Sequence, residues 1–235
     1  MIPEHVLFYA LVGGILPALL WLWFWLKEDS RCPEPRGLII LSFIAGMIVV
    51  PLVFPLQKLV AAHFVGTTVI VLWSTVEEVL KFLAAYLLVL RRKDMDEPVD
   101  AIIYMITVAL GFAAFENTLF LINPLGDGNI IESVLTGNLR FIGAMVLHTL
   151  ASAVIGVAIA LSFYKSALAK RIYIFFGIIL AIVLHTLFNF FIIQSNGEKL
   201  LEVFIFVWLG IVVLILFFEK IKRMKNPRNL FIKKR

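Results

Sequence analysis

Cysteine is nearly absent from the chain: Cys32 stands alone, which excludes an internal disulfide and any cysteine-rich metal site. Charge is scarce as well, at 16% of 235 residues against about 25% in soluble domains. No aspartate lies in the interior of any apolar run, so a protease built on two membrane-embedded aspartates is excluded. His-Glu-x-x-His is missing, and with it the helical zinc-protease motif. Gly-x-Ser-x-Gly is missing too, which removes the serine nucleophile elbow. The first apolar run has no basic stretch before it and is too long for a cleavable signal, so it reads as a retained span. No internal repeat supports an inverted-repeat transporter, and no segment reads as a separate soluble domain.

What is abundant is apolar sequence. Hydrophobic residues make up 62% of the chain and the mean hydropathy is +1.00, whereas ordinary soluble chains are about 45–50% apolar. Apolar runs of membrane-spanning length recur along nearly the whole chain, which implies an all-α polytopic membrane protein. Seven spans are expected, near 6–26, 38–56, 66–90, 99–122, 138–163, 172–193 and 199–218. They form a single transmembrane domain over 1–235, with a core at about 66–193 and a basic tail at 219–235. Pro51 and Pro55 are expected to kink the second span or end it early, with Lys58 and His63 in a polar break after it. The stretch 123–137 carries turn chemistry and reads as the longest loop.

Lys and Arg concentrate in alternate connections. Lys27, Arg31 and Arg36 flank the first turn, Arg91, Arg92 and Lys93 the third, and Lys165, Lys170 and Arg171 the fifth. Eight more fall between Lys220 and Arg235. Cytoplasmic connections carry such an excess, so the N-terminus is expected outside and the C-terminus inside. The formal charge of +5 comes largely from that tail, which suits anionic lipid rather than nucleic acid.

The chain is organised around Glu77-Glu78-Val79-Leu80-Lys81, one turn of charged helix inside the third span. Charged groups at bilayer depth face the bundle interior or a wet cavity. Lys81 can neutralise one carboxylate from a neighbouring turn, leaving the other as an acid or base. Counting inward from the outer face at 1.5 Å per residue puts Glu77 about 16 Å deep, Glu116 about 9 Å, His148 about 15 Å and His185 about 12 Å. Four ionisable residues from four helices thus share a layer. Asn117, Ser152 and Asn189 extend it, although Ser152 and Ser74 read as packing hydroxyls bonded to the preceding turn.

Three carboxylates against one lysine leave two excess charges, so the site must hold protons, a protonated histidine or a metal ion. A carboxylate beside an imidazole is equipment for general acid–base catalysis. Here it would draw a proton from water, while imidazole and amide N–H groups, suited to His185 and Asn189, hold the developing oxyanion. No cofactor is required by the sequence. Zinc is possible, with Glu116, His148 and His185 as ligands and Glu77 as base. The alternative from another class is a proton- or cation-coupled transporter using the same glutamate–histidine layer.

Glu77-Glu78-x-x-Lys81, Phe115-Glu116-Asn117, His148 and His185-x-x-x-Asn189 together resemble the ordered motifs of the PrsW family of intramembrane proteases. The resemblance covers about residues 74–190. More distantly the pattern is similar to the CAAX prenyl endopeptidase and bacteriocin-processing superfamily. Lysine stands here for that superfamily's arginine, one residue sooner, and Phe115-Glu116 stands where its histidine is expected. The resemblance implies a prokaryotic plasma-membrane protease in which Glu77 or Glu78 activates water with help from His148. His185 and Asn189 would polarise the scissile carbonyl, with Lys81, Glu116 and Asn117 in support. It also implies a single-span substrate of the anti-sigma-factor kind, cut near the extracytoplasmic side.

Overall fold

In a computed structural model, which describes residues 2–29, 32–195 and 198–224, the chain is helical with no strand among the described residues. Helices α1 (Glu4–Glu28) and α2 (Arg36–His63) precede α3 (Thr67–Ala85), whose last turn runs on as a π-helical segment, Tyr86–Leu90. Then come α4 (Asp100–Gly126), α5 (Ile130–Leu139), a second π-helical segment at Arg140–Ala144, α6 (Met145–Leu161), α7 (Ala167–Gln194) and α8 (Leu200–Lys222). Without water in the hydrocarbon, backbone polar groups must be satisfied within each segment, and helices achieve this.

Among the described residues, six stretches are long and apolar enough to cross a membrane: α1, α2, α4, α5 with α6 as one 32-residue run, α7 and α8. The third expected span, α3, has 19 residues and carries Glu77, Glu78 and Lys81. It is sheltered by α2 and α7.

Helix α4 is the axis. Nearly every residue from Asp100 to Ala114 is buried, so its apolar character runs all round, as expected of a helix with no lipid-facing stripe. Helices α1, α2 and α6 pack directly on it. The α2–α4 approach is backbone to backbone. A β-carbon on Gly46 would collide with the Val108 carbonyl, and one on Gly111 with the Phe43 carbonyl. Small residues permit such close crossings in membranes.

Two expectations fail. Helix α2 continues through Pro51 and Pro55, so Lys58 and His63 lie on it rather than in a break. Proline forfeits one backbone hydrogen bond, a loss that neighbouring structure tolerates in membrane helices. Nor is 123–137 a loop. Helix α4 continues through Pro124 to Gly126, and α5 begins at Ile130. Asn129 caps α5: its Oδ1 accepts from the Glu132 backbone N–H at 3.1 Å while its Nδ2 donates to the Glu132 carboxylate at 2.8 Å. The Asn-x-x-Glu spacing is a capping-box signal that turn composition concealed. Arg31 and most of the basic tail, from residue 225 onward, lie outside the described residues.

Candidate active site

Four helices bring the expected layer together. On α3, successive residues point 100° apart, so Glu78 turns into the bundle while Glu77 faces a cavity. Lys81 follows Glu78 at i,i+3 and pairs with its Oε1 at 2.5 Å, both side chains fully buried. His185 Nδ1 donates to the same oxygen at 2.7 Å, and the Ser152 hydroxyl donates to Oε2 at 3.1 Å. Both oxygens of Glu78 are thus occupied. Ser152 belongs to the site rather than to packing, because a buried carboxylate oxygen is a better acceptor than a carbonyl already bonded within its helix.

Lys81 also reaches His148 Nδ1 at 3.2 Å and lies 4.8 Å from the Phe112 ring centroid. An ammonium has only donors, so Nδ1 accepts. Nε2–H then donates to Glu116 Oε2 at 3.2 Å. The two imidazoles meet edge to face, with centroids 5.0 Å apart.

Glu116 has a second partner that sequence reasoning missed. Arg140, in the π-helical segment before α6, pairs with Glu116 Oε2 and donates from Nε to Asn117 Oδ1 at 2.5 Å. Its guanidinium stacks on Phe120, 3.8 Å from the ring centroid. The charge balance changes accordingly: three carboxylates face two fixed cations, not one, and a single negative charge is left over. A signal existed, since Arg140 is a cation near the start of the fifth expected span, beside the stretch 123–137 that carries no Lys or Arg.

The carboxyl group without a fixed cation is Glu77. Its Oε1 accepts from Gln57 Nε2 at 2.8 Å, and Gln57 is itself held on α2, where its carbonyl accepts from Trp73 Nε1 at 3.0 Å. Glu77 Oε2 is buried without a hydrogen-bond partner, 3.7 Å from His185 Nε2. With Nδ1–H committed to Glu78, Nε2 of a neutral His185 carries a lone pair directed toward this space. One ligand atom each from Glu77, His148 and His185 lies within 4.8 Å of the others. The trio contains Glu77 where the sequence reading placed Glu116.

These groups line a cavity of about 720 Å³, walled by Phe54 and Trp73, Phe120 and Leu147, and Phe188, Ile192 and Phe204. Asn189, one turn after His185, lies on its wall. The lining residues cluster at the end where α2 meets α3, α4 meets α5 and α7 meets α8. Beyond Glu78 and Lys81, Met105, Ile102 and Ile155 are packed to zero exposure. Apolar walls around a few convergent polar groups make a ligand-binding cleft.

Residues 34–217 match the family described as PrsW family intramembrane metalloprotease. The chain is 24% identical over 228 residues to Protease PrsW of Geobacillus kaustophilus, covering 95% of this chain and 94% of that one. It is 26% identical over 203 residues to Protease PrsW of Clostridioides difficile (83% of each chain). With Protease PrsW of Bacillus subtilis it shares 24% over 208 residues, covering 86% of this chain and 92% of that one. No solved structure matches the chain.

Proposed function

The chain belongs to the PrsW family of intramembrane proteases, and from that premise we propose that it is an endopeptidase whose attacking water is activated at Glu77, between His148 and His185. One observation carries the reading. A buried carboxylate oxygen without a hydrogen-bond partner faces an apolar cavity within reach of two imidazoles. Glu77 Oε2 takes a proton from the water that attacks the peptide carbonyl and hands it to the leaving amine nitrogen. Gln57 fixes the other oxygen, so the free one keeps its aim. The Asn189 amide supplies an N–H group for the oxyanion, a role worth about 2.7–4 kcal/mol for a well-placed donor, while His185, held through Nδ1 by Glu78, turns its Nε2 lone pair toward the attacking water. Glu78, Lys81 and Ser152 orient the imidazoles and do not touch the substrate.

Glu77 Oε2 and the His185 Nε2 lone pair would also suit a metal, and His148 would complete the set on losing its Nε2 proton and its bond to Glu116. Two histidines and a glutamate form a catalytic zinc donor set, the free Glu77 oxygen lacks a partner, and the surplus charge is negative. His185 is pre-oriented through Nδ1 by a carboxylate, as metal-ligating histidines are. When bound, zinc supplies Lewis-acid polarisation and a more acidic water.

The substrate fitting this site is a single-span membrane protein, of the anti-sigma-factor kind by resemblance to the family. If the basic connections face the cytoplasm, the cut falls near the extracytoplasmic side. The cavity's position at one end of the bundle supports hydrolysis over transport, which needs a path between both faces. Purified protein offered a panel of single-span substrates tests the proposal. We expect cleavage by wild type and loss in Glu77→Gln and His148→Ala; elemental analysis and activity after chelation decide whether Glu77 acts as base or, with the histidines, as a zinc ligand. Undiminished cleavage by both variants would overturn it.

A further inference from the structure

Helices α7 and α8 both lean on α6 and scarcely touch one another. Between them runs a groove of about 690 Å³, floored by α6 residues such as Val157 and walled by Leu180 and Val213. No charged residue lines it. It continues into a hollow of about 310 Å³ between Phe191 and Val203, with Phe206 common to both and Lys199 and Glu202 only at this outer end. Phe188 lines that hollow on one side and the catalytic cavity on the other. Its ring stacks on Phe204 of α8, planes 1° apart and centroids 6.3 Å apart, and Phe204 lies against Gly143, where a β-carbon would collide with the ring. Phe188 thus stands between hollow and cavity, backed on the cavity side by Phe204.

We infer that the membrane-spanning segment of a substrate docks along the α7–α8 groove and reaches Glu77 by parting Phe188 from Phe204. The inference rests on the protease reading above. Length favours a spanning helix over a lipid chain. From Ile172 to Phe191 the α7 wall rises about 28 Å at 1.5 Å per residue, close to the hydrocarbon thickness of about 30 Å. An acyl chain from one leaflet covers half of that. Continuity with the cavity favours a chain to be cut over a second copy of this protein.

The test uses full-length Glu77→Gln protein in liposomes with a leucine–alanine spanning peptide of about 20 residues. Photoreactive benzoylphenylalanine replaces Leu180, Val213 or, as a lipid-facing control on α2, Ile44. The peptide is expected to be labelled from 180 and 213 several-fold more than from 44. Equal labelling from all three, labelling of lipid alone, or cross-links only between copies of the protein overturns the inference. For the gate, Phe188→Cys and Phe204→Cys are joined by a short thiol-reactive bridge on a Cys32→Ser background. A photoprobe in place of Ile192, on the cavity wall, is expected to label the peptide before bridging and not after. Labelling that survives bridging removes the gate. Neither readout needs turnover, so a wild type that cleaves nothing counts against the protease reading alone.

Discussion

The floor beneath the candidate cavity and the wall that lines it hold adjacent residues of α3, which obey opposite rules. On the floor, Glu78 is saturated by Lys81, His185 and Ser152 with no exposure to the cavity. On the wall, Glu77 has one oxygen tied to Gln57 and the other without a hydrogen-bond partner. The contrast separates two uses of a buried carboxylate. A fully paired one rigidifies its surroundings, and removing a partner leaves an uncompensated charge. An under-paired one is costly to fold and reactive once folded. Mutations on the floor should therefore cost stability, and mutations on the wall should cost rate.

The largest separation is expected between neutral substitutions of the two glutamates. Glu77→Gln should lower kcat by about 10³-fold, within the range of general acid–base catalysis, with an unchanged or raised unfolding temperature in detergent. Glu78→Gln should destabilise by about 3–5 kcal/mol, because it strands Lys81 in a buried site. Equal effects of both on both readouts would break the comparison.

Arg140→Met comes next. It leaves Glu116 without its cation and should cost about 2–4 kcal/mol, read by thermal unfolding, and Arg140→Lys should recover only part because the two-point contact to Glu116 and Asn117 is lost. Gln57→Leu sharpens the wall side. Activity should fall about tenfold, equivalent to about 1.4 kcal/mol of transition-state stabilisation, with little change in unfolding temperature. Ser152→Ala is the mildest floor change. It removes one hydrogen bond to a charged acceptor and should cost about 1.5–3 kcal/mol, while kcat stays within a few-fold of wild type.

Membrane class, the approximate spans and the layer of Glu77, Glu116, His148 and His185 were legible because each depends on the chain's own periodicity and on the cost of charge in hydrocarbon. Lys81 could be seen to neutralise one glutamate, since i,i+3 neighbours meet on any helix. Which one it chose was not legible, for that depends on which face of α3 meets α6 and α7. Gln57 escaped notice because Pro51 and Pro55 suggested that α2 had ended. Arg140 escaped because it was counted with a span and not with the site. Ser152 was assigned to its own helix turn because its acceptor lies 74 residues away in sequence.

The amino-acid sequence by itself determined that this is a helical membrane protein carrying a glutamate–histidine layer, because apolar run length and the desolvation cost of charge act locally along the chain. Only the tertiary structure decided that Glu78 is sealed and Glu77 left open, that Arg140 rather than a proton balances Glu116, and that α7 and α8 stand apart. Those outcomes come from packing between helices distant in sequence, where the rotation of one helix against another selects each buried group's partners.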